Sequence, residues 1–82
     1  MKKNMRTALP FDRVSFDPAV MGGRACIRGL RITVALVVNL VANRMTIAEI
    51  LREYPDLEPE DIEQALQYAA LLADEELAPL AD

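Results

Sequence analysis

The sequence predicts a mainly α domain, a small N-terminal β-hairpin region followed by a three-helix helix-turn-helix core. Short alternating segments bounded by Gly and Pro come first, and apolar residues at helical spacing follow from Val34 onward. Two helix starts carry threonine caps, Thr33 and Thr46, and a third opens on Pro59. The connections between helices are tight, as in helix-turn-helix cores. The 82 residues make one domain at most, and 52% apolar against 27% charged residues is the balance of a folded chain.

The expected division is a flexible N-terminal arm over 1–12, a single domain over 13–75 and an acidic C-terminal tail over 76–82. Met1 to Pro10 shows little periodicity and reads as the arm. Val14-Ser15-Phe16 alternates apolar and polar and is closed by Asp17-Pro18, the pattern of a short strand. Gly22-Gly23 signals a turn, Arg24 to Ile27 a second short strand, and Gly29 a further turn. Thr33 caps a helix from Val34 to about Asn43. Val34, Leu36, Val37, Val38, Leu40 and Val41 cover nearly its whole circumference, which predicts burial all round. So small a chain can hardly cover every face, so the remaining face is expected to meet another chain. Asn43 or Arg44 ends the helix, Asn tolerating the left-handed conformation better.

Thr46-Ile47-Ala48-Glu49 is a capping box, followed on one face by Ile47, Ile50, Leu51 and Tyr54 until Pro55 stops the helix. Leu57-Glu58-Pro59-Glu60-Asp61 opens the third helix, with proline at its first position and acids complementing its positive end. Ile62, Ala65, Leu66, Ala69, Leu72 and Ala73 form its core stripe, leaving Tyr68 and Leu71 off it on an expected exposed face. Asp74 to Asp82 reads as fraying helix or a partner-binding peptide.

Composition excludes several chemistries. The chain has no His, so neither His-based acid–base catalysis nor a His-containing zinc site is available. Cys26 is the only cysteine, which excludes an intrachain disulfide and a multi-Cys metal site and fits a reducing cytoplasm. Met1-Lys2-Lys3 begins like a signal sequence, but no apolar segment follows, so no signal peptide is expected. The most apolar run, Ile32 to Ala42, falls well short of the roughly 20 residues of a membrane helix. Without a nucleophile–base pair or a cofactor motif, no enzyme activity and no cofactor are expected.

Charge divides the chain. Residues up to Ala48 carry a net +6 and those from Glu49 onward a net −10. This suggests separate surfaces with separate partners, or two halves that satisfy each other within a monomer or across a homodimer.

Asp17-Pro18, Gly22-Gly23, Ile27-Arg28-Gly29, Arg31-Ile32 and Val34 recur in a specific order with Glu49-Ile50-Leu51, Tyr54-Pro55, Leu57, Pro59-Glu60-Asp61-Ile62 and Ala65-Leu66-x-Tyr68-Ala69. Over about residues 13–73 this order resembles the bacterial and archaeal domain-of-unknown-function family numbered 433. The chain departs from that pattern at Ala25, where Pro is common, Leu30 for Thr, Arg44 for Gly and Glu58 for a Thr cap. The resemblance implies a homeodomain-like helical core, and a VapB-type antitoxin paired with a PIN-like ribonuclease toxin.

Arg24, Arg28 and Arg31 crowd one loop around Gly29, and guanidinium forks at such spacing grip phosphates or the carboxylates of a metal nuclease site. Arg28 is the favoured binding residue, whereas Arg31, just before the first helix, serves equally well as a structural tie to an acid of the third helix. Glu60, Asp61, Tyr68 and Leu71 form the expected partner-docking face, with helix capping and homodimer packing as the alternatives. Carboxylates at the start of the third helix would meet DNA phosphates at short range, so that helix makes a poor reading head. The expected function is that of an antitoxin-like binding module of a type II toxin–antitoxin system, neutralising a PIN-like ribonuclease and autoregulating through operator DNA. A homodimer or higher homo-oligomer away from membranes is expected. The alternative is a stand-alone dimeric helix-turn-helix transcription regulator.

Overall fold

The computed structural model describes residues 6–77 apart from Leu9. Lys2-Lys3 of the expected arm and residues 78–82 of the expected tail lie outside the described residues. Three strands, β1 (Arg6–Ala8), β2 (Phe11–Phe16) and β3 (Cys26–Ile27), precede three helices, α1 (Val34–Ala42), α2 (Ile47–Glu53) and α3 (Pro59–Leu77). The strands form one antiparallel sheet in the order β1-β2-β3.

Strand β1 corrects the arm assigned to residues 1–12. Arg6 lies opposite Phe16 and Thr7 opposite Ser15, with a register shift before Ala8 meets Phe11. A three-residue segment has too little periodicity to announce itself; the open edge of β2 makes it a strand. Arg24 and Ala25 lie outside β3, and between the strands the chain turns through a short 3-10 segment, Met21–Gly23.

Beyond β3 the chain reverses at once. The Leu30 amide donates to the Ile27 carbonyl at 2.7 Å, and the two residues between them, Arg28 and Gly29, both have positive φ, 45° and 75°. Positive φ at both central positions marks the type I′ class of hairpin turn, whose twist suits flanking strands and whose first position favours Asn or Gly. Arginine there is costly, so something outside the turn must hold it. The Ile27 amide then donates to Ile32, Cys26 bridges Thr33, and the Val34 amide donates to Ala25. These bonds weld the loop to the start of α1.

Each helix end has a local cause. The Thr33 hydroxyl accepts from the Leu36 amide at 3.0 Å and starts α1. At the other end, Met45 donates to Leu40 and Arg44 to Val41, the paired bonds of a Schellman motif. Arg44 takes the left-handed position, φ 71°, whereas Asn43 stays at φ −91° and gives its side-chain amide to the Asn39 carbonyl. Thr46 and Glu49 form the reciprocal capping box of α2, and Tyr54 ends it before Pro55. Pro59 is the first residue of α3, and the Glu58 amide before it is held by the Asp61 carboxylate at 2.7 Å.

The core gathers Val14 and Ile27 from the sheet, Val34 and Val37 from α1, Ile50 from α2, Leu57 from the α2–α3 connection, and Ile62 and Ala65 from α3. Burial of α1 is one-sided: Val34 and Val37 are buried, Leu36, Val38, Leu40 and Val41 are partly covered, and Ala35, Asn39 and Ala42 face solvent. Tyr68 is not on an exposed face. It is half-buried, its ring edge-on to Phe11 at 5.5 Å and to Phe16 at 6.3 Å, because the sheet covers that side of α3. The α3 stripe is deeply buried only at its start; Leu72 and Ala73 are exposed. Among the described residues no helix is long and apolar enough to cross a membrane.

Candidate functional site: an arginine loop beside an apolar cleft

The register that places Val14 opposite Ile27 makes Arg13 and Arg28 the next neighbours across the strands, and the Arg28 amide donates to the Arg13 carbonyl at 2.9 Å. Two like charges side by side repel and need a counter-charge. Asp61 supplies it from the first turn of α3. Arg28 takes it at two points, Nε to Oδ1 at 2.9 Å and Nη2 to Oδ2 at 2.8 Å, while Arg13 Nη1 reaches Oδ1 at 2.9 Å. The Glu58 amide is the fourth donor, so the lone pairs of Asp61 are all engaged. Arg13 also pairs with Glu58 at 2.7 Å, and Arg28 Nη2 donates to the Asp56 carbonyl at 2.7 Å.

Asp61 is fully buried, not part of a docking face. Burial alone would push its carboxyl pKa up, but hydrogen bonds from Arg28, Arg13 and the Glu58 amide outweigh this and hold it below the usual carboxylate value. The same bonds raise the partners: Asp61 raises Arg28, and Glu58 with Asp61 raises Arg13. Two cations and two anions make the cluster neutral. A carboxylate saturated by four donors has no lone pair left for a ligand or a proton-transfer partner, so the cluster is a clamp that joins β2, the Arg28 turn and α3. No buried side-chain polar atom among the described residues lacks a partner.

The clamp separates the loop arginines by role. The tie to an acid of the third helix, expected at Arg31, is made by Arg28. Arg24 and Arg31 are exposed and enter no ion pair among the described residues. Both stand near Cys26, whose buried thiol is pushed up by desolvation and pulled partly back by their charges. A buried, protonated thiol is a poor nucleophile. Of the expected docking residues, Glu60 and Leu71 are exposed, and Tyr68 lies half-buried under the sheet. Arg13 and Glu58 are members of the clamp that the sequence reading passed over. The usable signal was the strand pattern itself, which sets Arg13 beside buried Val14 and hence beside Arg28.

Next to Arg24 the surface opens into a cleft of about 460 Å³ between α1 and α3. Val34 and Val38 form one wall, Tyr68, Ala69 and Leu72 the other, and Arg24 stands on the rim. An apolar trough with a guanidinium at its edge has the character of a protein-binding surface more than of a small-molecule site, which needs several convergent polar groups. Among the described residues no group of three or more His, Cys, Asp or Glu side chains is arranged to hold a metal.

Neither a curated protein nor a solved structure matches the chain. The sequence profile of one family does match, over residues 14–69, which takes in β2 from Val14 onward, the Arg28 turn, all of α1 and α2, and α3 as far as Ala69. The chain therefore belongs to the family described as proteins of unknown function, DUF433.

Proposed function

We propose that this protein is a non-enzymatic binding module of the antitoxin type, which neutralises a PIN-like ribonuclease and, as a dimer, binds its own operator DNA. The observation that carries this reading is the division of labour among the loop arginines. Arg28 is consumed by the clamp, whereas Arg24, just before β3, and Arg31, just after the Arg28 turn, are exposed on the two segments that flank the clamped strand and turn. Guanidinium forks are suited to a cluster of carboxylates, the chemistry of a metal-dependent nuclease site, and a backbone already tied in place spares the cost of ordering it on binding. The exposed acids at the start of α3, Glu58, Glu60 and Glu63, oppose a conventional recognition-helix contact with DNA. In this reading operator contact falls to the loop arginines, and the three helices serve as a homeodomain-like helix-turn-helix core used for partner binding.

The test is co-expression of the tagged chain with the product of the adjacent gene in its own genome, followed by purification at high salt and assay of ribonuclease activity. A stable complex with suppressed activity, lost in Arg31→Glu while the circular dichroism spectrum is kept, supports the reading. A chain that co-purifies with nothing and binds DNA alone in a salt-sensitive manner overturns it in favour of the stand-alone regulator.

A further inference from the structure

We infer that the cleft between α1 and α3 is where two copies of this chain associate, the α3 helices running antiparallel about Leu72 so that each chain's Leu71 and Leu72 cover the other's Val34–Val38 wall. This deepens the proposed function, which rests on a dimer, by giving that dimer an interface.

The argument begins with α3. Its early core positions, Ile62 and Ala65, are 0% exposed, but Leu71 and Leu72 are 48% and 50% exposed. The helix continues beyond the surface that its own chain can cover, and it carries leucines where it does so. Leu72 is also part of the cleft wall, so the exposed apolar surface runs unbroken from α1 across the trough to the projecting turn of α3. An apolar surface of this kind on a small domain marks an interaction site. Val38, half-covered by its own chain, borders the same opening together with the exposed Ala35 and Asn39, so part of the outer side of α1 belongs to this surface.

Charge selects the occupant. Asp74-Glu75-Glu76 follows Leu72 after one intervening residue, Ala73. Antiparallel pairing centred on position 72 sets position 76 of one helix opposite position 68 of the other, and Tyr68 shares the cleft with Arg24. The acidic end of each copy thus arrives at the basic rim of its partner, twice, as a two-fold axis requires. Parallel pairing would set the two acidic runs against each other. A second copy supplies leucines followed by acids, which is the complement of an apolar trough with an arginine on its rim.

Sedimentation velocity across the micromolar range, on the full chain, tests the inference. The wild type should be a dimer. Leu72→Glu should be monomeric with unchanged helicity, since the residue is half in water already. Arg24→Glu removes the pair at both symmetry-related sites and should weaken association roughly a hundredfold, about tenfold for each pair, and the double variant Arg24→Glu with Glu76→Lys should recover it. A monomeric wild type, or a dimer indifferent to both single substitutions, overturns the interface. The readout is independent of the ribonuclease: a monomer that still captures the enzyme removes this interface and leaves the binding function, while a dimer of this kind that captures nothing does the reverse.

Discussion

Arg28 and Asp61 are joined by a two-point ion pair, Nε and Nη2 on the two carboxylate oxygens at 2.9 and 2.8 Å, across 33 residues of sequence. The arginine sits at φ 45°, a backbone conformation that side chains other than Gly, Asn and Asp adopt with strain. The pair holds this turn in place and simultaneously anchors the first turn of α3, where Asp61 also receives the Glu58 amide. One contact therefore sets both the turn that leads into Arg31 and the helix that closes the core.

Asp61→Asn should destabilise the domain severely. It leaves Arg28 and Arg13 facing each other with no buried counter-charge, a change that costs about 3–5 kcal/mol in comparable buried pairs. The whole stability of so small a core is of that order, roughly 3–5 kcal/mol. Urea denaturation followed by circular dichroism should find the variant largely unfolded in buffer; a transition within half a molar of the wild type would refute the clamp.

Acid should act through the same carboxylate. The folded state holds Asp61 below its unfolded value of about 3.9, so the unfolded chain binds the proton more readily. The stabilisation is complete above about pH 5 and is lost as pH falls through the depressed folded value. Urea midpoints measured at steps of pH should fall below about pH 4 as this contribution goes, and a midpoint that holds constant down to about pH 2 would contradict it.

Arg28 and Arg31 should separate cleanly. Arg28→Ala removes the two-point tie and should lower stability by about 2–3 kcal/mol, less than the about 3–5 kcal/mol of a fully buried pair because Arg13 remains on Asp61 and Arg28 keeps part of its side chain in water. Arg28→Lys should recover little, since an ammonium cannot match the fork. Arg31→Ala, on an exposed residue, should stay within about 0.5 kcal/mol of the wild type. Any loss of partner binding in Arg28→Ala is then a loss of the loop, and thermal melts beside binding assays distinguish the two.

Arg44→Gly should stabilise the protein. Arg44 occupies the left-handed position that ends α1, φ 71°, at a cost of about 1–2 kcal/mol for a residue with a Cβ. Glycine removes that cost while adding freedom to the unfolded chain, so a net gain of about 0.5–1 kcal/mol is expected. A shift of the urea midpoint to lower concentration would show that the Arg44 side chain makes a compensating contact.

Read alone, the sequence determined the three helices and where each begins, but left the end of α1 between Asn43 and Arg44. The Thr33 cap, the Thr46–Glu49 box, Pro55 and Pro59 act on backbone groups within a few residues, so they can be read without knowing any tertiary contact. It also carried the family's run of residues and the crowding of arginine around Gly29. Tertiary structure decided the rest. Whether Arg6–Ala8 is arm or strand depends on the edge of β2, and whether Tyr68 is exposed depends on Phe11 and Phe16 half a chain away. Which arginine is structural and which is free depends on Asp61 lying 33 residues from Arg28 and 48 from Arg13. An ion pair is selected by distance in space and by burial, and neither is written into the spacing of charges along the chain.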